Sequence, residues 1–200
     1  EKKIIAYHEA GHAVVINTLP EGDPVQKVSI ISRGMAGGFT LSLPEEDRVL
    51  DSKKKLIATM VGMLGGRAAE EVIFDDITSG ASSDIENVTK LARRMVTRLG
   101  MSEELGPMVY GQKEELVFLG REISEQRDYS EYVAQKIDQE VREIVSQAYK
   151  QAKEILVTYK DKLIEVAEKL LEVETLSREQ FEAIFPPPVE KNQGIPTLQA

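Results

Sequence analysis

His8-Glu-Ala-Gly-His12, within an apolar run over residues 4–19, is the stretch from which the rest of the chain can be interpreted. Residues four apart lie one above the other on a helix, so His8 and His12 can offer two imidazole nitrogens to one ion. Glu9 follows His8 by about 100° of helix rotation, which places its carboxylate beside that ion, where it could deprotonate a bound water. Because these are the only two histidines among 200 residues, we favour zinc over a pair of ordinary core histidines.

Composition excludes several classes of function. The formal net charge is −9 and charges of both signs are interspersed, so nucleic acid is not a predicted partner. Cysteine is absent, which rules out disulfides and thiolate sites, and leaves nitrogen and oxygen ligands for a metal. No apolar run approaches 18 residues, so we expect this chain to be soluble. Since the motif follows directly on Glu1-Lys-Lys3, we also expect further domains upstream.

The apolar pattern predicts a buried helix over 4–18 that carries the motif, followed by two strands over 25–31 and 38–43. The glycine-rich link over 32–38 lacks the Gly-Lys-Ser/Thr ending of a phosphate loop, so a hairpin is favoured over nucleotide binding. From the sequence, this hairpin is equally compatible with a structural role and with an exposed edge that holds an extended peptide.

One further helix is predicted from about residue 52 to 74. Its glycines Gly62, Gly65 and Gly66 each cost about 1 kcal/mol relative to alanine in a helix interior. We therefore expect another backbone, that of the motif helix, to cross there.

The remaining elements are predicted to be mostly helical. A loop over 75–82 leads into a capping box, Ser83-x-x-Glu86, that opens a helix ending near residue 100. Residues 101–126 show little periodicity and are predicted to be loop. Helices are then predicted over 128–159, 160–173 and 177–185. The first two are expected to pack on one another as a C-terminal hairpin, which is also a candidate oligomerisation surface.

Spacing leaves two candidates for a third zinc ligand. Asp84 continues an apolar stripe of its predicted helix, so its carboxylate should point inward, where an unpaired charge is costly. Glu71 begins the pattern Glu-x-x-x-Asp75, by which thermolysin-like enzymes supply a glutamate ligand and an outer aspartate. Against Glu71, an acid at the C-terminal end of a helix is disfavoured by the helix dipole unless lysines or a metal compensate.

Taken together with the motif, several ordered blocks resemble the protease domain of FtsH-type ATP-dependent zinc metalloproteases. The blocks are Tyr7-His-Glu-Ala-Gly-His12, Leu43-Pro-Glu-Glu-Asp-Arg48, Gly65-Gly-Arg-Ala-Ala-Glu70, Thr78-Ser-Gly-Ala-Ser-Ser-Asp84, and Ala92-Arg-Arg-Met-Val96 followed by Gly106-Pro107.

The resemblance implies a predominantly α zinc-protease domain with a small hairpin or sheet near the active site and a C-terminal long-helix hairpin. It also implies one zinc ion bound by His8, His12 and Asp84, with Glu9 as general base. If Asp84 is the third ligand, we expect Glu70 or Glu71 to contact the histidines from outside the ligand set.

The same resemblance implies that the protein hydrolyses unfolded or membrane proteins fed by a homohexameric AAA+ ATPase ring, which alone would bind ATP and Mg²⁺. The helices over 128–173 would stiffen such a ring of six. None of the ATPase motifs occurs in this chain. A membrane anchor would lie in missing N-terminal segments, and this domain would lie in the cytoplasm or an equivalent organelle compartment.

We therefore divide the chain into a zinc-protease core (1–126), a C-terminal helical subdomain of the same protease domain (127–185) and a disordered tail (186–200). Two other functions stay open. One is an H-E-x-x-H peptidase that works without ATP. The other is a catalytically inactive helical assembly module with a structural metal. The intact Glu9 argues against the second, because a structural zinc site has no use for a base.

Overall fold

The computed structural model describes residues 1–32, 37–44, 50–111 and 128–188, and most of them are helical. The helices are α1 (Lys2–Thr18), α2 (Lys53–Met63), α3 (Gly65–Phe74), α4 (Ser82–Thr97), α5 (Glu131–Thr158), α6 (Lys160–Val173) and α7 (Arg178–Ile184), with a 3₁₀ turn over Ser79–Ala81. The strands are β1 (Val25–Ser29), β2 (Phe39–Ser42) and β3 (Thr175–Ser177). The predicted class, predominantly α with a small sheet, is confirmed.

The motif helix α1 lies at the centre of the fold. Every residue from Ala6 to Val15 is buried, because α1 packs against α3 and α6 and also touches α2, α5 and both strands of the hairpin. A helix that is covered all round needs no polar face, which explains the apolar sequence around the motif. The predicted buried helix is therefore confirmed.

The prediction of a single helix over 52–74 is wrong, because the chain forms two helices that meet at Leu64. The backbone there has φ −84° and ψ −6°, outside the regular helical values. The break does not open a loop: the Leu64 N–H donates to the Met60 carbonyl (3.1 Å) and its carbonyl accepts from the Ala68 N–H (3.0 Å). Because Leu64 alone separates the two helices, the apolar spacing in the sequence looks continuous across the break.

The predicted crossing of helices at the glycines is confirmed, and it joins α1 to α3. A Cβ built on Gly11 would lie 2.5 Å from the Gly65 carbonyl oxygen, and one built on Gly65 would lie 2.7 Å from the Gly11 carbonyl oxygen. No side chain fits at either position without moving a backbone. The glycines therefore let α3 approach the motif helix closely enough to reach the histidines.

The sheet is antiparallel in the order β2–β1–β3, so β2 is an edge strand within the part of the chain that the structure describes. The β1–β2 hairpin was predicted, although part of its link (33–36) lies outside the described residues. The third strand was not predicted, since three residues are too few for a visible alternation. Val28 of β1 lies opposite Thr40 on one side and Leu176 on the other.

The predicted capping box at Ser83 is not formed. Helix α4 already begins at Ser82, and its N-cap, Ala81, offers no side-chain acceptor. The 3₁₀ turn runs straight into the helix, and its Ser79 carbonyl accepts the Ser82 N–H. The turn itself is capped by the Thr78 hydroxyl, which accepts from the Gly80 N–H at 3.2 Å. The Ser79 carbonyl thus provides a partner for one of the N–H groups at the start of α4 that have no acceptor inside the helix.

Helices α5 and α6 follow one another as predicted, but they make little contact with each other. Helix α5 packs on α2, α3 and α4, and α6 packs on α1. Their apolar stripes therefore join one continuous core with the rest of the described chain. Residues 101–111 form neither helix nor strand, whereas 112–126 and the predicted tail beyond 188 lie outside the described residues. None of the described helices combines the length and apolarity needed to cross a bilayer.

Candidate metal centre

Two helices bring three predicted ligands together: α1 supplies His8 and His12, and the first turn of α4 supplies Asp84. The two Nε2 atoms lie 3.1 Å apart. The Asp84 Oδ2 lies 3.5 Å from the His8 Nε2 and 3.6 Å from the His12 Nε2. Across the described ranges, this is the one group of three or more potential ligands whose atoms all lie within 4.8 Å of one another.

The far side of each imidazole is occupied by a hydrogen-bond acceptor. His8 Nδ1 lies 2.7 Å from the Oε1 of Glu70, which is 1 % exposed, and His12 Nδ1 lies 2.8 Å from the Gly62 carbonyl oxygen. We therefore assign the proton of each neutral ring to Nδ1, which leaves both Nε2 lone pairs directed at the shared point. Two lone pairs and a carboxylate oxygen that face one another call for a cation between them.

The charges of the three groups support this interpretation. Burial works against the charged forms of His12 and Asp84, but for each of them the neighbouring charges and hydrogen bonds together outweigh burial. As a result the pKa of His12 lies above its usual value, while His12 and His8 hold the pKa of Asp84 well below its usual range. The carboxylate is thus ionised at neutral pH and attracts positive charge to the shared point.

Gly66 leaves room for an ion at this point. A Cβ built on Gly66 would lie 2.4 Å from the Nε2 of His8 and 2.6 Å from the Nε2 of His12. Zinc is commonly held by imidazole nitrogen and carboxylate oxygen at about 2.0–2.2 Å. Both the donor atoms and the space above them fit zinc.

Glu9 lies beside the three ligands and does not join them. It is 7 % exposed, and its carboxylate Oε2 accepts a hydrogen bond from the Thr40 hydroxyl at 2.8 Å. The same hydroxyl lies 3.0 Å from the backbone oxygen of Glu9. Sequence reasoning missed Thr40: the alternation of β2 marks it as a polar position but does not show that it faces the motif helix.

The rival ligand Glu71 faces away from the histidines, towards α5. Its Oε1 accepts from the Lys153 ammonium at 2.8 Å, and its Oε2 accepts from the Tyr149 hydroxyl. These two donors, Lys153 first, lower the pKa of Glu71. Lys153 thereby compensates for the unfavourable position of an acid at the end of α3. Asp75 ends α3 in the left-handed conformation, with φ 54°, and is exposed.

Glu70, rather than Glu71, contacts a motif histidine, His8. One of its oxygens meets His8, and the other accepts the Thr78 backbone N–H at 2.7 Å. Thr78 belongs to the segment that leads to Asp84, so this buried carboxylate joins a histidine on α1 to the segment that carries the third predicted ligand.

A cleft of about 850 Å³ surrounds these residues. Its floor follows one face of α1, and its walls come from β2, α2 and the segment around Asp84. The volume lies in the range of ligand pockets in general.

One protein family and several known zinc metalloproteases are similar to this chain. The model of the family "Peptidase family M41" matches residues 1–184. The chain is 56 % identical over 188 residues to the ATP-dependent zinc metalloprotease FtsH 1 of Thermomicrobium roseum, covering 94 % of this chain and 29 % of that protein. It is 54 % identical over 192 residues to the ATP-dependent zinc metalloprotease FtsH of Thermotoga maritima, covering 96 % of this chain and 32 % of that protein. The chain thus spans about 30 % of the length of such relatives.

Proposed function

Because the chain belongs to peptidase family M41 and is a zinc-dependent protease domain, we propose that His8, His12 and Asp84 hold one zinc ion and that Glu9 is the general base. The observation that carries the proposal is the convergence of two Nε2 lone pairs and one carboxylate oxygen on a single point. When bound there, zinc supplies a Lewis acid that activates water and polarises a peptide carbonyl.

The chain's own residues divide the remaining work. The Glu9 carboxylate takes a proton from the attacking water and passes it to the nitrogen of the leaving amine. Glu70 and the Gly62 carbonyl hold the two imidazoles in the tautomer that points Nε2 inward.

We propose that the substrate lies extended along the cleft. Ile5, Glu9, His12 and Ile16 all line it, and their spacing on one helix face gives a floor of roughly 16 Å. At about 3.3 Å per residue, this length accommodates about five residues of extended peptide. The edge strand β2 forms one wall and can pair with the main chain of the substrate, which would give affinity with little dependence on sequence.

For the full-length protein we propose a homohexamer that couples this peptidase to ATP hydrolysis and degrades unfolded or membrane proteins. The support is the names of the relatives, which are ATP-dependent zinc metalloproteases. This sequence contains no Gly-Lys-Ser/Thr phosphate loop, so ATP and Mg²⁺ would bind elsewhere in the protein. We further propose that a segment outside this chain anchors the protein in a membrane, with this domain in the cytoplasm or an equivalent organelle compartment.

The site is tested by comparing Glu9→Gln with a control, Glu71→Gln. The control removes the same charge from a glutamate that contacts α5 and not the histidines. Glu9→Gln should retain one zinc per chain and lose about 10²–10⁴-fold in peptide hydrolysis. Glu71→Gln should keep both zinc and activity. Metal analysis and a fluorogenic peptide assay measure the two properties. A wild-type rate in Glu9→Gln would remove Glu9 from the mechanism, and wild-type protein without zinc would refute the site.

The proposals on the whole protein need separate measurements. Casein degradation by the full-length protein should require ATP; equal rates with and without ATP would favour an ATP-independent peptidase. Light scattering on this chain alone at micromolar concentration should show assemblies far above its monomer mass of 22.3 kDa. If this chain alone is a strict monomer while the full-length protein is hexameric, assembly depends on the rest of the protein.

A further inference from the structure

Thr40 is the β2 residue whose side chain reaches the carboxylate of Glu9. We propose that Thr40 is a positioning residue, which fixes the Glu9 carboxylate beside the metal point through its hydroxyl. The proposal rests on the proposed function of Glu9 as general base. Its first support is the 2.8 Å distance between the Thr40 Oγ1 and the Glu9 Oε2.

The hydroxyl has two acceptors within reach but only one proton. The carboxylate oxygen is nearer than the Glu9 backbone oxygen, at 2.8 Å against 3.0 Å. It also carries charge, and hydrogen bonds to ionised acceptors are roughly twice as strong as those between neutral groups. The backbone oxygen already belongs to the hydrogen-bonding pattern of α1. The carboxylate is therefore the preferred partner.

The strand holds Thr40 in a fixed place. Thr40 lies opposite Val28 in the β1–β2 ladder, and Val28 is fully buried and also pairs with β3. The hydroxyl is thus anchored by the central strand of the sheet. A flexible side chain from a loop would not provide the same constraint.

Gly38 closes the other side of the Glu9 side chain. A Cβ built on Gly38 would lie 2.8 Å from the Glu9 Cγ and 2.9 Å from its Oε1. The glutamate therefore runs between the backbone at Gly38 and the hydroxyl of Thr40. A free glutamate side chain has several rotamers of similar energy, and displacement of a catalytic group by about 1 Å can cost 10²-fold in rate. The contacts with Gly38 and Thr40 together select one arrangement.

The proposal predicts a particular kinetic effect of Thr40→Val, which keeps the shape of the side chain but removes the hydroxyl. The kcat for a fluorogenic peptide should fall about 10- to 100-fold, while KM and zinc content stay within about twofold. Thr40→Ser retains a hydroxyl and should recover most of the rate. Thr89→Val is a matched control in the full-length protein, because the exposed Thr89 hydroxyl donates to the Ile85 carbonyl at 2.8 Å on α4.

A second measurement separates positioning of the carboxylate from attachment of the strand to α1. In a Glu9→Gln background, Thr40→Val should cause no further loss of the residual rate. A role confined to the backbone oxygen would persist there and would appear as a raised KM or a lowered Tm. A raised KM or a lowered Tm on adding Thr40→Val to Glu9→Gln would overturn the proposal, and so would a wild-type kcat in Thr40→Val alone.

The outcomes also distinguish this proposal from the proposed function. If Glu9→Gln hydrolyses peptide at the wild-type rate, the role of Glu9 as general base fails and the role of Thr40 fails with it. If Glu9→Gln is inactive and Thr40→Val is fully active, only the role of Thr40 fails. If Thr40→Val does not fold, Thr40→Ser and Thr40→Ala are compared, and equal kcat values in these two variants contradict the proposal.

Discussion

At the scale of single residues, the candidate centre depends on the lack of a side chain at Gly66 as much as on the ligands. The Gly66 Cα faces both Nε2 atoms, and any side chain would enter the space where they converge. Elsewhere in a helix, replacing glycine by alanine stabilises by up to about 1 kcal/mol. At Gly66, an alanine would raise the helix propensity but would also occupy the space of the ion. The substitution should therefore favour folding and weaken zinc binding.

Gly66→Ala should therefore leave a folded helical protein that binds zinc at least 100-fold more weakly than wild type. The physical reason is that the new methyl group would lie within about 2.5 Å of the nitrogens that must reach the ion. Calorimetric titration with zinc measures the affinity, and circular dichroism checks the fold. Tight zinc binding by a folded Gly66→Ala protein would show that the ion is held at another point.

At the scale of helices, α3 packs against both the motif helix α1 and α5. Its Glu70 turns towards His8 on α1, whereas the next residue, Glu71, turns towards Lys153 and Tyr149 on α5. Two adjacent acids of α3 thus contact two different helices. The burial and the Glu71 carboxylate also raise the pKa of Tyr149, to about 12.

The contact between α3 and α5 predicts a pH dependence of stability. The folded-state pKa of Glu71 lies below its ordinary value of 4.5, so its ionised form is favoured by folding. This stabilisation is fully present above pH 4.5 and is lost as the pH falls through the lower, folded-state pKa. Since the side chain is 35 % exposed, solvent screening limits the effect to less than about 1 kcal/mol.

Glu71→Gln should accordingly lower Tm by up to about 2–4 °C at pH 7, and the difference from wild type should shrink at acidic pH. Thermal melts of both proteins between pH 7 and pH 3 measure it. Glu86→Gln is a suitable control, because Glu86 pairs with Lys90 on the exposed side of α4. A difference that stays constant from pH 7 to pH 3 would mean that the ion pair with Lys153 does not stabilise the fold.

At the scale of the whole molecule, the predicted ligands join parts of the chain that are far apart in the sequence. The histidines belong to the central helix, and Asp84 opens α4, which packs on α2 and α5. An ion bound to all three connects these helices in the folded state only. By mass action, it must then stabilise the fold.

Removal of zinc should lower the melting temperature by about 5–10 °C, relative to protein at a free zinc concentration of 100 times Kd. Differential scanning calorimetry with and without a chelator measures the shift. Asp84→Ala should melt near the temperature of the chelated wild type and should respond little to added zinc. If chelation leaves the wild-type melting temperature unchanged, zinc does not connect α1 and α4.

The sequence by itself determined the features that depend on neighbours along one helix. Two histidines four residues apart must share a face, and a glutamate after the first must stand beside them, whatever the rest of the chain does. In the same way, the glycines within a predicted helix indicated a close approach to another backbone, which the structure shows to be that of α1. The resemblance of the blocks to a known family was also readable without a structure.

The tertiary structure alone decided which distant side chains meet the motif. Asp84 and Glu71 were both possible third ligands by spacing, and only the packing of α3 shows that Glu71 turns to Lys153 while Asp84 reaches the histidines. Thr40 beside Glu9 depends on the register of a sheet whose third strand, β3, comes from the far end of the chain. Such contacts are fixed by how helices and strands pack in space, and the period of a single element carries no information about that packing.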